Sequence, residues 1–143
     1  MDASEGARRL YWHGMALVVA GLLMGMVVQA VANPRIGLSA HTGTIMNGIL
    51  VIAMGAFWPR LTLSPRATSL AFWLVVAGSW VSSLSLFLAA VFGTSHSTPL
   101  HGAGHEGTPA QEALVLAGLT IGGIAVLLGC ATALAGLRKP AER

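Results

Sequence analysis

Four stretches of this chain contain no Asp, Glu, Lys or Arg, and they constrain its fold more than any other feature. They cover residues 10–32, 43–59, 67–93 and 113–137. A transmembrane helix needs about 17–25 mainly apolar residues, and each run reaches that length. Because backbone polar groups in lipid must be bonded within the segment, such runs form helices. The sequence predicts an all-α integral membrane four-helix bundle that forms one domain, with helices at about 10–32, 40–59, 67–93 and 111–137.

Composition supports lipid as the main solvent of this chain. Only 9% of its residues are charged and 55% are hydrophobic, whereas soluble domains carry about 25% charged residues. A chain with so few charges cannot cover its surface with polar groups, so we expect the lipid bilayer to surround it.

Local signals predict where the helices end. The residue before a proline is pushed out of the helical region, so helix 1 is expected to end at Asn33, before Pro34. Ser39 is a candidate cap of helix 2, because its hydroxyl can accept a bond from an early backbone N–H. Residues 94–109, TSHSTPLHGAGHEGTP, are predicted to form an irregular third loop because they are rich in Gly, Ser, Thr and Pro.

Basic residues predict the orientation in the membrane. Seven fall on one side of an up-and-down bundle: Arg8, Arg9, Arg60, Arg66, Arg138, Lys139 and Arg143. Only Arg35 falls on the other side. The positive-inside rule then predicts cytoplasmic termini, for a multi-pass protein of a bacterial inner membrane. The net charge of +3 follows from this topology and gives no reason to expect a nucleic-acid partner.

Helix 1 has a second interpretation. The basic pair before its apolar run and the small residues at 30–32 resemble a secretory signal with its cleavage site. Two acidic residues near the start, Asp2 and Glu5, fit a signal poorly. A permanent transmembrane helix is therefore the favoured interpretation.

Small residues recur one turn apart on two helices. Helix 1 has Gly21 and Gly25, and helix 4 has Gly118 and Gly122. Small residues at this spacing let helix backbones approach closely in lipid. These stripes can pack helices within one protomer or join protomers. Since four helices enclose little volume, a site for anything larger than a water molecule favours a homo-oligomer.

His41 and Asn47 are the polar residues of helix 2 that most need an explanation, because intramembrane polar groups are costly. A neutral imidazole is a good iron ligand, although a histidine near the outer interface can also be structural. Asn47 lies about 120° further around the helix and roughly 9 Å deeper. Gly48 shares the face of His41 and is expected to leave room for a wide, flat group. If His41 and Asn47 serve one kind of site, neighbouring protomers can supply them separately.

The tryptophans fall into two groups by position. Trp12 and Trp58 lie at helix ends and are predicted to belong to an interfacial aromatic belt. Trp80 falls in the middle of helix 3, where a lipid-facing indole N–H would lack a partner. We therefore expect Trp80 to face a pocket or the bundle interior. The serines around it can bond the carbonyl four residues earlier, which is a structural role for most of them.

Three histidines, His96, His101 and His105, lie in the third loop. The glycines around them leave their spacing flexible, and no cysteine or aspartate joins them. The sequence predicts no specific metal site there and leaves the role of these histidines open.

The stretch NPRIGLSAHTGTIMNG, residues 33–48, resembles the corresponding segment of the hydroxylaminobenzene mutase family, which are small four-helix membrane enzymes. Its core pattern, an Ala-His pair followed after a short spacer by Asn-Gly, is also similar to styrene oxide isomerases. In those isomerases the histidine binds haem b at the subunit interfaces of a trimer, and the asparagine lines the substrate pocket. The resemblance implies His41 as the axial iron ligand, and the shared helix face then predicts Gly48 as a cofactor-binding residue beside it. It implies Asn47 as the catalytic, substrate-orienting residue of a homotrimer.

Helix 3 departs from the isomerase pattern, which has an Asp and a Tyr flanking a Trp. Trp80 matches the Trp, but Gly78 stands at the Asp position and Leu86 at the Tyr position. This departure favours the mutase over epoxide isomerisation. Trp80, Ser83 and Leu86 are the predicted walls of a pocket for a small aromatic substrate.

The resemblance implies an isomerase that rearranges hydroxylaminobenzene-type arylhydroxylamines to 2-aminophenols. Heterolysis of the N–O bond needs an acid at the departing oxygen. No carboxylic acid is expected in any span, so haem iron acting as a Lewis acid would take that role. One alternative is a styrene oxide isomerase-like enzyme that converts epoxides to aldehydes. Another is a non-catalytic membrane haem protein or scaffold. A small multidrug exporter is disfavoured, because its intramembrane glutamate is missing.

Overall fold

The computed structural model describes residues 2–138, and every long element in them is an α-helix. The helices are α1 (Ala3–Met26), α2 (Pro34–Phe57), α3 (Pro65–Phe92), the single turn α4 (Pro99–Gly102) and α5 (Pro109–Leu137). Short 3-10 turns follow α1 at Val28–Ala30 and α2 at Trp58–Arg60. The four long helices are each long and apolar enough to cross a membrane. The predicted all-α membrane fold with four spans is confirmed.

α1 begins earlier than its charge-free run predicts, at Ala3 instead of residue 10. The added turns carry charge, and Arg9 forms an ion pair with Glu5 across one of them at 2.6 Å. A run of uncharged residues measures the part of a helix that lipid can cover, and the helix itself can continue into water. Lys139 and Arg143, two of the charges used to predict orientation, lie outside the described residues.

α2 begins at Pro34, several residues before the predicted start. The Asn33 side chain accepts hydrogen bonds from the backbone N–H groups of Arg35 at 3.0 Å and Ile36 at 3.2 Å. Proline suits the first helical position because its fixed φ is already helical and it has no N–H to satisfy. The predicted cap, Ser39, was wrong: it lies inside the helix, and its hydroxyl donates to the carbonyl of Arg35.

The four long helices pack in chain order. α1 packs closely on α2, α3 packs closely on α5, and a less extensive α2–α3 contact joins the two pairs. The main core contains large buried side chains from α1, from α2 with its following 3-10 turn, and from α3: Leu10, Leu17, Val51, Met54, Trp58, Phe72 and Val75. α1 and α5 are the least buried spans, at 22% and 17%, so their outer faces are left for lipid or another subunit.

Glycines bring the helices of each pair into backbone contact. A Cβ placed on Gly48 would lie 2.7 Å from the carbonyl oxygen of Gly14, and one on Gly122 would lie 2.9 Å from that of Gly78. Gly21 and Gly118 are likewise covered, by α2 and α3 respectively. The small-residue stripes therefore pack helices within one protomer.

Trp58 departs from the predicted aromatic belt. Trp12 is 66% exposed, as a belt residue should be, but Trp58 is only 1% exposed. Its ring packs edge-on against Phe72, with the ring centroids 6.2 Å apart. The belt prediction for Trp58 was wrong because the 3-10 turn after α2 directs its indole into the core.

Candidate functional site

His41 lies in the second turn of α2 and points at α1. Its Nδ1 lies 2.8 Å from the backbone carbonyl oxygen of Gly21. A carbonyl oxygen can only accept a hydrogen bond, so Nδ1 carries the proton of the neutral imidazole. The other ring nitrogen, Nε2, is then left with a free lone pair. A histidine that ligates a metal commonly has this arrangement, with its second nitrogen bonded to a backbone carbonyl.

A groove of about 390 Å³ adjoins the imidazole on the outer side of the α1–α2 pair. Its walls are mostly apolar and come from α1, the following 3-10 turn and α2: Leu22, Gly25, Met26, Val28, Gln29, Leu38 and His41. Several of these side chains are exposed, with Met26 at 82%. Among residues 2–138, the groove therefore has no outer wall.

The chemistry of His41 and of the groove residues beside it is compatible with a bound haem group. In the described residues, no group of three or more His, Cys, Asp or Glu side chains could hold a metal ion. His41 can thus offer a single protein ligand, in apolar surroundings, with Nε2 free. Such a site suits an iron whose equatorial ligands are supplied by a porphyrin.

Gly48 does not adjoin this groove. It faces α1, as its spacing from His41 predicts, but the space beside it is filled by Gly14 and Val18 of that helix. The expectation that Gly48 leaves room for a flat group was therefore wrong within the protomer. α1 lies where that prediction had placed the cofactor, and the glycine allows the two helices to pack closely.

Asn47 lies on the opposite side of α2 from that groove and faces α3. Its Nδ2 donates to the hydroxyl oxygen of Ser83 at 3.1 Å. Oδ1 has no hydrogen-bond partner among residues 2–138, so it remains free to accept one. The prediction that His41 and Asn47 face different ways is confirmed. Within the described part of the chain, the imidazole is bonded to α1 and the Asn47 amide to α3.

Trp80 and Leu86 lie on α3, one turn on either side of Ser83. Trp80 is partly buried and packs against the main core, as expected for an inward-facing indole. Leu86 lies beside Gly43 of α2, with its Cδ2 3.6 Å from a Cβ placed there. The structure thus places all three predicted pocket residues on α3 near its contact with α2. Their contact with a substrate stays a prediction.

Glu112 is a buried carboxylate that the sequence analysis missed. The predicted helix at about 111–137 already contained this residue, and in the structure it lies in the first turn of α5, so the expectation that no span contains a carboxylic acid was wrong. Its oxygens accept backbone N–H bonds from Ser95 at 2.8 Å, His96 at 3.0 Å and Gly107 at 3.1 Å. The residue is 4% exposed and holds the third loop in place. The Thr108–Gln111 capping box is the signal in the sequence that marks where this helix begins.

Asn33 is a second organising residue that was missed. It is fully buried, and its Nδ2 donates to the backbone carbonyl of His101 at 2.9 Å and lies 3.4 Å from Nδ1 of His105. Its own N–H donates to the carbonyl of Ala90. One amide therefore ties the start of α2 to the third loop and to the end of α3. His101 and His105 lie at these contacts, whereas His96 contacts Glu112.

Comparison with known proteins identifies the family. The styrene oxide isomerase family profile matches residues 6–138. The chain is 41% identical to hydroxylaminobenzene mutase HabB of Ectopseudomonas oleovorans over 139 residues, covering 96% of this chain and 85% of HabB. It is 37% identical to hydroxylaminobenzene mutase HabA of the same organism over 108 residues, 74% of this chain and 79% of HabA. No solved structure matches it significantly. The chain belongs to the styrene oxide isomerase family, alongside these two mutases, and is an isomerase.

Proposed function

We propose that this isomerase converts hydroxylaminobenzene-type arylhydroxylamines to 2-aminophenols. The observation that carries the proposal is its 41% identity to HabB across nearly the whole chain. In the reaction the N–O bond breaks, a C–O bond forms at the ortho carbon, and the proton of that carbon moves to nitrogen. Substrate and product are isomers, so no electron donor, oxygen or nicotinamide is consumed.

Haem b is the proposed cofactor, and His41 Nε2 would hold its iron. The bond from Nδ1 to the Gly21 carbonyl and the apolar groove support this assignment. When bound, the iron supplies a Lewis acid for the departing oxygen. The groove residues Leu22 and Leu38 would exclude the water that otherwise captures a cationic intermediate.

Asn47 is the proposed substrate-orienting residue. Its Nδ2 is bonded to Ser83, so Oδ1 is the atom available to accept a hydrogen bond from the substrate N–OH group. An amide dipole that is already oriented can stabilise the charge that develops on that group without having to reorganise. Trp80 and Leu86 offer apolar surfaces for the aromatic ring on the same side of α3.

The proposed assembly is a homotrimer in a bacterial inner membrane, with both termini in the cytoplasm. Two observations support an assembly. The His41 groove lacks an outer wall, and Asn47 faces the opposite side of α2. In a trimer, His41 of one protomer and Asn47 of a neighbour can serve the same site.

Isomerisation of aryl epoxides to aldehydes is the second candidate, because the matching family profile is that of styrene oxide isomerases. One position argues against it. A Cβ on Gly78 would already lie 2.9 Å from Gly122 and Ala125 of α5, so the aspartate of the isomerase pattern has no room there.

The purified protein, loaded with haem in detergent or nanodiscs, should form 2-aminophenol from hydroxylaminobenzene in anaerobic buffer without a co-substrate. The His41→Ala variant should still insert, because burial of four apolar helices does not depend on one side chain, but it should lose the Soret band. Formation of phenylacetaldehyde from styrene oxide, without 2-aminophenol, would favour the second candidate. Absence of both products from haem-loaded protein would contradict both candidate reactions.

A further inference from the structure

We propose that Gly25 is a positioning residue for His41. By having no side chain, Gly25 admits the edge of the imidazole to α1, where the Gly21 carbonyl fixes its tautomer. The inference deepens the proposed function, since it explains how His41 would present Nε2 to haem, and in that respect it rests on that function.

The glycine and the imidazole are in direct contact. A Cβ placed on Gly25 would lie 2.6 Å from Nδ1, 2.8 Å from Cε1 and 3.2 Å from Cγ of His41. All three nearest atoms belong to the ring. At Gly14, by contrast, the nearest atoms include the backbone of Gly48 and Ile52. Gly14 therefore serves the approach of two helices, whereas Gly25 makes space for one side chain.

The contact has a chemical consequence. With the ring against Gly25, Nδ1 reaches the Gly21 carbonyl one turn away at 2.8 Å and must carry the proton. Nε2 is then unprotonated and able to ligate a metal. A side chain at position 25 would push the ring off α1, break this bond and free the imidazole to adopt the tautomer with Nε2–H. That tautomer has no lone pair on Nε2.

Gly25 also lines the groove beside His41. A methyl group at this position would take space from the cavity that the cofactor is proposed to enter. The orientation of the His41 imidazole and the access of the cofactor to it thus both depend on Gly25.

The first test needs no haem. Nitrogen-15 NMR of histidine-labelled, haem-free protein in nanodiscs distinguishes the two imidazole tautomers, and a His41→Gln variant assigns the signal. The wild type should show Nδ1–H at His41, and Gly25→Ala should lose that tautomer. Gly14→Ala overfills the same helix pair without touching His41, and Gly123→Ala adds a methyl group where nothing lies within 4 Å. Both controls should keep Nδ1–H.

The second test measures haem binding by titration, followed at the Soret band. Loss of an outer contact to a metal ligand typically weakens binding on the order of 10–100-fold, and we expect that loss for Gly25→Ala. Gly14→Ala and Gly123→Ala should bind as the wild type does.

Three results would overturn the positioning role: Nε2–H at His41 in the wild type, wild-type tautomer and haem affinity in Gly25→Ala, or equal losses in Gly25→Ala and Gly14→Ala. The first needs no variant, so misfolding of Gly25→Ala cannot hide it. A wild type that shows Nδ1–H but takes up no haem supports the positioning of His41 and overturns the haem assignment.

Discussion

At the scale of single residues, the proposed chemistry depends on two side chains of α2 that face opposite neighbours. His41 is bonded to α1 and Asn47 to α3, so their roles can be separated by substitution. Each is held by one contact that leaves one atom free, Nε2 of the imidazole and Oδ1 of the amide. These free atoms are where a cofactor and a substrate would bind.

We predict that Asn47→Ala lowers kcat strongly while the haem spectrum stays close to that of the wild type. Loss of one preorganised polar contact to a transition state typically costs on the order of 10²-fold in rate. Steady-state kinetics and absorption spectra of the same preparation measure both effects. Thr132→Ala, which removes only a hydroxyl bonded within α5, is the control and should leave both unchanged.

Ser83→Ala should have a smaller effect in the same assay. It removes the partner of Asn47 Nδ2 but keeps the amide, and a single hydrogen bond is worth about 1 kcal/mol, or roughly fivefold in rate. A loss as large as that of Asn47→Ala would place Ser83 itself against the substrate. Unchanged turnover in Asn47→Ala would remove the orienting role from the amide.

At the scale of helices, stability comes from close backbone contact within each pair. We predict that Gly122→Ala destabilises the protein, because its Cβ would meet the backbone of Ser82 at 2.8 Å and of Gly78 at 2.9 Å. Overfilling a packed contact typically costs about 1–3 kcal/mol. Thermal unfolding in detergent measures the change.

The neighbouring glycine provides a matched control for this prediction. A Cβ on Gly123 would meet nothing within 4 Å, so Gly123→Ala should be neutral or stabilising, since alanine favours helix by about 1 kcal/mol over glycine. Equal effects of the two substitutions would mean that contact with α3 does not limit the packing of α5.

We predict that Glu112→Gln loosens the third loop without preventing insertion. The carboxylate accepts three backbone N–H bonds on two oxygens, and an amide would turn a donor toward at least one of them. An unsatisfied buried group costs about 1–3 kcal/mol. Hydrogen exchange at Ser95, His96 and Gly107 should accelerate, while exchange within α3 should not. Protected amides in the variant would show that the loop is held by other contacts.

How much of these elements could be predicted depended on the kind of signal. The four spans follow from runs without charge, which are a direct measure of solubility in lipid. The ends were harder: Ser39 had the right chemistry for a cap, but Asn33 before a proline was the stronger signal. Trp58 and Gly48 were misassigned because their positions along a helix do not reveal what the neighbouring helix places beside them.

At the scale of the whole molecule, the open groove and the opposed faces of α2 favour an assembly. We predict a homotrimer, to be tested by native mass measurement in nanodiscs with haem bound. A second readout uses mixed subunits: His41→Ala and Asn47→Ala protomers, each strongly impaired alone, should recover activity when co-assembled if neighbours share a site. A monodisperse monomer that retains haem and turnover would contradict the prediction.

The pairing of helices also bears on how the molecule is made. α1 with α2 and α3 with α5 form two hairpins, and glycines bring the two helices of each hairpin into close contact. The less extensive contact between the hairpins contains the hydrogen bond from Asn47 to Ser83. During synthesis the first hairpin can insert and close before the second leaves the ribosome. The polar pair is then assembled last, at the joint between two finished units. A substitution at this joint therefore need not disturb the glycine contacts that hold each hairpin together.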